Sequence, residues 1–162
     1  FIIIINNCCI ILILGIMDKL NTCIDQNDNY QLLTDKLRGV GLRATRQRLD
    51  IGSLLFSGKD RHVTAESLHD EAVASGMKIS LATIYNALNQ FTDAGLLREV
   101  LIDPSRTYFD TNTSSHHHFF NIDNGQLTDI PNEEINLPRL PNLPEGQTID
   151  GVDILIRIKP ED

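Results

Sequence analysis

The stretch TSSHHHFFN, residues 113–121, sets His116, His117 and His118 side by side, three of the five histidines in the chain. Neutral imidazole is the commonest side-chain metal ligand, and it also serves as an axial ligand of haem. On an extended strand residues i and i+2 point to one face. His116 and His118 would therefore share a face and suit one metal ion, while His117 would point the other way. The three together are candidates for haem, with His117 also a candidate for a second metal. The bland alternative leaves them as polar strand residues. The run follows Tyr108-Phe109-Asp110 and precedes Asn124-Gly125. Cys8, Cys9 and Cys23 all lie near the start. That pattern argues against a disulfide scaffold and against a four-cysteine zinc knot, and makes a reducing cytoplasm the default.

Whatever the histidines do, other elements must position them. The 162 residues are 41% hydrophobic and 22% charged, ordinary for one domain or two small ones. The net charge of −8 argues against nucleic acid, but its distribution does not. Residues 36–48, KLRGVGLRATRQR, carry Lys36, Arg38, Arg43, Arg46 and Arg48 and no acid. After Arg106 acids dominate. A basic first half and an acidic second half suit a DNA contact on one lobe only.

Residues 34–97 read as helices. Residues 18–33 are polar and read as a loose arm. Thr34 or Asp35 is the expected cap of a short helix through Val40. Thr45 caps the next, which turns Leu49, Leu54, Leu55 and Phe56 inward. Thr64 caps a third, with Glu66 in its first turn, Ala65, Leu68 and Ala72 buried, and Gly76 as its stop. Ser80 caps a fourth, in which Leu81, Ile84, Leu88 and Phe91 form the apolar stripe and Gly95 the stop. His69, in the third helix, reads as a surface or packing residue.

Two helices joined by a tight turn form a helix-turn-helix pattern. The polar face of the second presents Thr83, Tyr85, Asn86, Asn89 and Gln90, groups suited to base edges and phosphates. The next segment reads as strand, turn at Asp103-Pro104-Ser105, and strand. A hairpin placed there is a wing, and Arg106 on it could reach a phosphate. Arg43, Arg46, Arg48 and Ser80 complete the candidate DNA contacts.

The second lobe starts near Asn112. Strands flank Asp123-Asn124-Gly125, where Asn-Gly suits a type I′ turn. The Pro-interrupted residues 132–147 leave room for at most a short helix. A last strand carries Val152, Ile154, Ile156 and Ile158 on one face. A sheet of three short strands needs more cover than it brings, so a homodimer is expected. The expected class is thus α+β, with an N-terminal winged-helix domain, residues 34–111, before a small α/β dimerisation domain, residues 112–162. Residues 1–33 are an extension and arm. Its first part, FIIIINNCCIILILGI, is too short and interrupted for a membrane span and lacks a signal-peptide pattern. Met17 reads as a natural start, and no membrane partner is expected.

GLRATRQR, RHVTAESLHDEA, ISLATIYNALNQFTDAGLL and RTYFDTNTSSHHHFF, in this order and spacing, resemble the Fur family of bacterial metalloregulators over residues 34–159. HHH followed by FF, then DIP, LPEG and VDILIRIK, resemble its iron response regulator subgroup. The resemblance implies a metal ligated by His62, Asp110, His116, His118 and Asp129 at the hinge between lobes. Imidazole with carboxylate suits Mn2+, Fe2+ or Zn2+. One ligand on the DNA lobe and the others beyond the wing would let the ion fix the angle between lobes. Two departures accompany it. Asn121 and Asn124 stand where many members place the first CxxC pair of a structural zinc, so that zinc is not expected. Neither Cys9 nor Cys23 precedes a proline, which leaves the triple histidine as the remaining haem candidate. The aspartate at 129 resembles the peroxide-sensing branch, so a peroxide-responsive repressor is the near alternative. A metal enzyme is disfavoured, because no further Glu or His is placed as catalytic acid or base.

Overall fold

A computed structural model describes residues 29–103, 106–137 and 139–160. The hydrophobic N-terminal stretch, the three cysteines and the turn at Pro104-Ser105 lie outside the described residues, as does the side chain of Arg106. Four helices lead: α1 (residues 29–39), α2 (Arg46–Phe56), α3 (Ala65–Ala74) and α4 (Leu81–Asp93). The strands are β1 (His62–Val63), β2 (Arg98–Asp103), β3 (Arg106–Asp110), β4 (His117–Asn121), β5 (Leu127–Ile130) and β6 (Leu155–Ile158). One turn of 3-10 helix, Asn132–Glu134, is the only helix among the described residues of the Pro-rich segment. The mixture is α+β, as expected.

The caps of α2, α3 and α4 fall where the sequence places them. Thr45, Thr64 and Ser80 each hold extended backbone angles and accept a hydrogen bond from the N–H three residues on. Thr64 and Ser67 bond reciprocally, closing a capping box. α3 and α4 end alike. Gly76 and Gly95 adopt positive φ, +85° and +72°, and the N–H of the residue after each reaches back five residues, Met77 to Ala72 and Leu96 to Phe91. That is the Schellman closure, which a side chain at either glycine would strain. A fixed stop on α3 delivers the chain directly to Ser80 and so sets where α4 starts.

Ile51, Leu55, Val63, Leu68, Ala72, Ile84, Leu88 and Phe91 are buried together in the first core. Two expectations are corrected. α1 is already helical at residue 29, so residues 29–33 are no loose arm and Thr34 is no cap. Thr34 sits mid-helix, and its hydroxyl donates to the Tyr30 carbonyl. Leu33 and Leu37 of α1 belong to the same core, which is why the polar sequence around them still forms a helix. Leu81 is the second correction. As the first residue of α4 it overhangs the core and is 36% exposed, and Ala87 takes the inward position instead.

β1, β3 and β2 form one antiparallel sheet, with a register shift between Leu101 and Asp103. The second sheet has the order β5-β4-β6, antiparallel on one side and parallel on the other. The β4–β5 connection spans residues 122–126, wider than a two-residue type I′ turn. The Asn121 side chain accepts from the N–H groups of Asp123 and Asn124, and that of Asn124 accepts from Gln126. These side-chain turns shape the loop. Ile102 and Tyr108 of the wing pack with Phe120 and Leu127 of the second sheet. The Tyr108 hydroxyl donates to the Gly125 carbonyl at 2.7 Å. In β6 the inward residue is Leu155, while Ile156 and Ile158 are 38% and 41% exposed. The isoleucine face therefore points away from this chain's own core.

Candidate metal centre and nucleic-acid face

β1 is two residues long, yet it places His62 directly opposite Asp110 of β3. In the second sheet His118 of β4 lies opposite Asp129 of β5. The lobes meet with these two cross-strand pairs facing each other, and His116, just before β4, completes the group. One ligand atom from each of His62, Asp110, His116, His118 and Asp129 lies within 4.8 Å of all the others. The Nε2 atoms of His116 and His118 are 2.9 Å apart. Asp110 Oδ2 is 2.9 Å from His116 Nε2 and 3.4 Å from the Nε2 atoms of His62 and His118. Asp129 Oδ1 is 2.9 Å from His62 Nε2.

The chemistry of this arrangement asks for a cation. His116 Nδ1 lies 2.8 Å from the Ser114 carbonyl, which makes Nδ1 the N–H and turns the Nε2 lone pair inward. Buried lone pairs directed at one point repel unless a proton or metal lies among them. His62 Nε2 and Asp129 Oδ1 are buried without a well-formed hydrogen-bond partner, the state of ligand atoms awaiting an ion. Burial works to raise the Asp110 pKa. The neighbouring His118 and His62 side chains and the Asn112 N–H outweigh it and hold the carboxyl well below the usual carboxylate range. Asp110 is thus an ionised ligand in advance. Three nitrogens and two oxygens, with no sulfur, suit Mn2+, Fe2+ or Zn2+, and the residues present fit such an ion.

His117 is not brought to the cluster. It is buried on the other side of β4, where its Nδ1 accepts from the Ile154 N–H at 3.4 Å. His69 is likewise apart, its Nε2 3.2 Å from the carbonyl of Ile79 before α4. Several residues at the site carried no signal in the sequence. Arg61, next to His62, makes a two-pronged pair with Glu71 of α3, at 3.1 and 2.6 Å. Arg98, opposite Asp110 on β2, pairs with Asp153 and reaches the carbonyls of Ser114 and His116. Asn112 touches both carboxylates. Their partners are distant in sequence or on the backbone, so spacing could not announce them.

The candidate DNA face lies on α2 and α4. Tyr85, Asn86, Asn89 and Gln90 are exposed on α4. Thr83 is half-buried, and its hydroxyl is 2.8 Å from that of Ser80, both tied into the helix cap. The Tyr85 hydroxyl donates to Glu66 of α3 at 2.6 Å, and this bond, with lesser contributions from burial and the carboxylate's charge, raises the phenol pKa. Arg48 lies between the helices, with Nε and Nη2 both donating to Gln90 Oε1 and Nη1 to the Arg43 carbonyl. A polar cleft of about 340 Å3 lined by Thr45, Gln47, Arg48, Thr83, Asn86 and Gln90 opens there. Arg43 and Arg46 are exposed beside it. Among the described residues no helix is long and apolar enough to cross a membrane.

Comparison with known proteins gives one answer. Residues 39–147 match the model of the ferric uptake regulator family. The chain is 34% identical over 110 residues to the ferric uptake regulation protein of Vibrio anguillarum, covering 67% of this chain and 71% of that protein. It is 35% identical over 100 residues to that of Yersinia pestis, covering 61% and 68%. Among solved structures, the Pseudomonas aeruginosa ferric uptake regulator with manganese superposes with a TM-score of 0.62 at 24% identity, over 80% of this chain and 98% of that one. The Vibrio cholerae regulator gives 0.61 at 23% identity, over 78% and 98%.

Proposed function

Because this chain belongs to the ferric uptake regulator family, we propose that it is a dimeric, metal-responsive repressor of the iron response regulator type. Members of the family are metal-dependent transcription regulators rather than enzymes. The reading assigns control of iron and haem homeostasis genes to this chain and places it in the cytoplasm. The motifs HHH-FF, DIP, LPEG and VDILIRIK support the subgroup. We divide the chain at residue 112, with α1 joined to the DNA-binding lobe.

The observation that carries the reading is the convergence of five ligand atoms from both lobes within 4.8 Å, two of them buried without a hydrogen-bond partner. His62 and Asp110 would hold Mn2+, Fe2+ or Zn2+ from the DNA lobe, and His116, His118 and Asp129 from the other. When bound, the ion supplies the charge that neutralises the converging lone pairs. The chain's own residues do the rest. Arg61 and Glu71 join the His62 strand to α3, and the closure of α3 sets the start of α4. Ion binding thereby favours one placement of α4 over others. Tyr85, Asn86, Asn89 and Gln90 would face base edges, with Arg43, Arg46, Arg48 and Arg106 on phosphates. The exposed Ile156 and Ile158 face is the surface a second copy would cover, giving two half-sites on palindromic DNA. A metal is favoured over haem because His116 and His118 are buried and aimed at the two carboxylates, while His117 is engaged elsewhere.

The test is promoter binding by metal-stripped protein titrated with Mn2+, ferrous iron and ferric haem, beside the His116→Ala, His118→Ala double variant. A metal-dependent change in affinity, absent from the double variant, is expected. Equal binding by stripped and loaded protein would overturn the metal switch. Release by haem alone would transfer the histidines to a haem trigger. The aspartate at 129, 2.9 Å from His62, favours a second reading as a peroxide-responsive repressor. That reading expects His62 or His116 to gain an oxygen atom when the ferrous protein meets peroxide, detected by peptide mass.

A further inference from the structure

The two carboxylates of the metal centre come from different lobes, yet both are held by one residue that is not itself a ligand. Asp110 turns Oδ2 toward the histidines and offers Oδ1 to the Asn112 N–H at 2.8 Å. Asp129 turns Oδ1 inward and offers Oδ2 to Asn112 Nδ2 at 3.0 Å. The amide cannot be flipped without loss, because Asn112 Oδ1 accepts from both the N–H and the hydroxyl of Ser114, at 3.2 and 2.6 Å. The Ser114 carbonyl in turn fixes His116 Nδ1. A single residue thus connects Asp110, Asp129 and, through Ser114, His116.

We propose that Asn112 is the positioning residue that keeps both carboxylates of the metal centre monodentate. The proposal rests on the metal-centre reading above. A free carboxylate can offer one or two oxygens to a cation, and its choice changes the number of donors. With each outer oxygen engaged by Asn112, the chain offers three nitrogens and two oxygens. Two bidentate carboxylates would offer four oxygens, which suits larger hard cations such as Ca2+, typically bound by six to eight oxygens. Asn112 therefore selects for a small transition-metal ion as well as strengthening its binding. It acts on Asp110 through its backbone and on Asp129 through its side chain, so of the two carboxylates a side-chain substitution releases only Asp129.

That difference gives a test on the full-length protein, with free Mn2+ counted by its paramagnetic resonance signal. Asn112→Ala is expected to weaken Mn2+ binding by about tenfold or more, the usual effect of removing a ligand's hydrogen-bond partner. In an Asp129→Ala background, itself weakened, Asn112→Ser is expected to cause no further loss. Asn112→Ser keeps an oxygen able to form the turn with Ser114 but is too short to reach Asp129, and should match the alanine variant. It separates lost positioning from a disturbed loop, with circular dichroism of the metal-free proteins reporting the fold. Native binding by both Asn112 variants would overturn the proposal and leave the metal centre standing, as would equal weakening by Asn112→Ser in both backgrounds. Native Mn2+ binding by Asp129→Ala would instead remove the metal-centre reading on which the proposal rests.

Discussion

His62 and Asp110 are direct neighbours across the β1–β3 ladder, with Nε2 3.4 Å from Oδ2. Both sit on the same sheet of the DNA-binding lobe, so the first half of the candidate centre is built before the second lobe contributes. Replacing Asp110 by Asn keeps the size of the side chain and removes the charge. Metal affinity, measured by equilibrium dialysis with Mn2+, should fall by more than about a hundredfold, beyond what outer partners cost. The β1–β3 pairing, read by amide exchange, should persist.

Arg61 lies one residue before His62 and grips Glu71 of α3 with both prongs of its guanidinium. The Thr111 hydroxyl accepts from the Arg61 N–H, tying the same point to the end of the wing. Arg61→Ala should leave Mn2+ affinity nearly unchanged. It should reduce the metal-induced change in DNA affinity, which in coupled systems is about 5- to 150-fold. Fluorescence anisotropy of a labelled promoter, with and without Mn2+, measures that ratio. A ratio equal to that of the native protein would show that the pair only packs.

Leu37 is fully buried although the polar residues before it read as an arm. Leu37→Ala should destabilise the DNA-binding lobe by about 2–5 kcal/mol, the range for truncating a buried leucine. Thermal unfolding gives the value. A loss below about 0.5 kcal/mol, typical of surface positions, would show that α1 does not dock.

The Tyr85 phenol is pushed up chiefly by its hydrogen bond to Glu66. A raised folded pKa means the native state favours the protonated phenol. The associated stability is present at neutral pH, below the ordinary tyrosine value of about 10, and is lost as pH rises through the folded pKa. Absorbance titration should therefore show Tyr85 ionising later than a free phenol. Glu66→Gln should move that ionisation back toward the ordinary value, while Tyr30, raised mainly by burial and then by its bond to Asp50, should not shift.

The helix-turn-helix was legible because its signals are local. Thr45, Thr64 and Ser80 announce starts, Gly76 and Gly95 announce stops, and Ile84, Leu88 and Phe91 repeat at helical spacing. Only the first turn of α1, residues 29–33, reads as arm in the sequence, because it is mostly polar and Leu33 stands out only once a core exists to receive it. Family motif supplied the ligand set, whereas residue spacing alone reached only His116 and His118. The convergence of His62 with Asp129 depends on how two sheets dock, which no periodicity encodes. The exposure of Ile156 and Ile158 was hidden for the same reason. Alternation gives the two faces of a strand, and only the neighbouring cluster of Tyr108 and Phe120 decides which one turns inward.

The fork of Arg48 on Gln90 bears on kinetics. A free arginine on a protein surface samples many rotamers, and fixing it at an encounter costs up to about 2 kcal/mol of entropy. Here three of its nitrogens are already committed, two to Gln90 and one to the Arg43 carbonyl. That ordering is completed during folding. If Arg48 contacts phosphate as proposed, it would meet an approaching strand as a fixed, directional charge, and less searching would separate first collision from a seated complex.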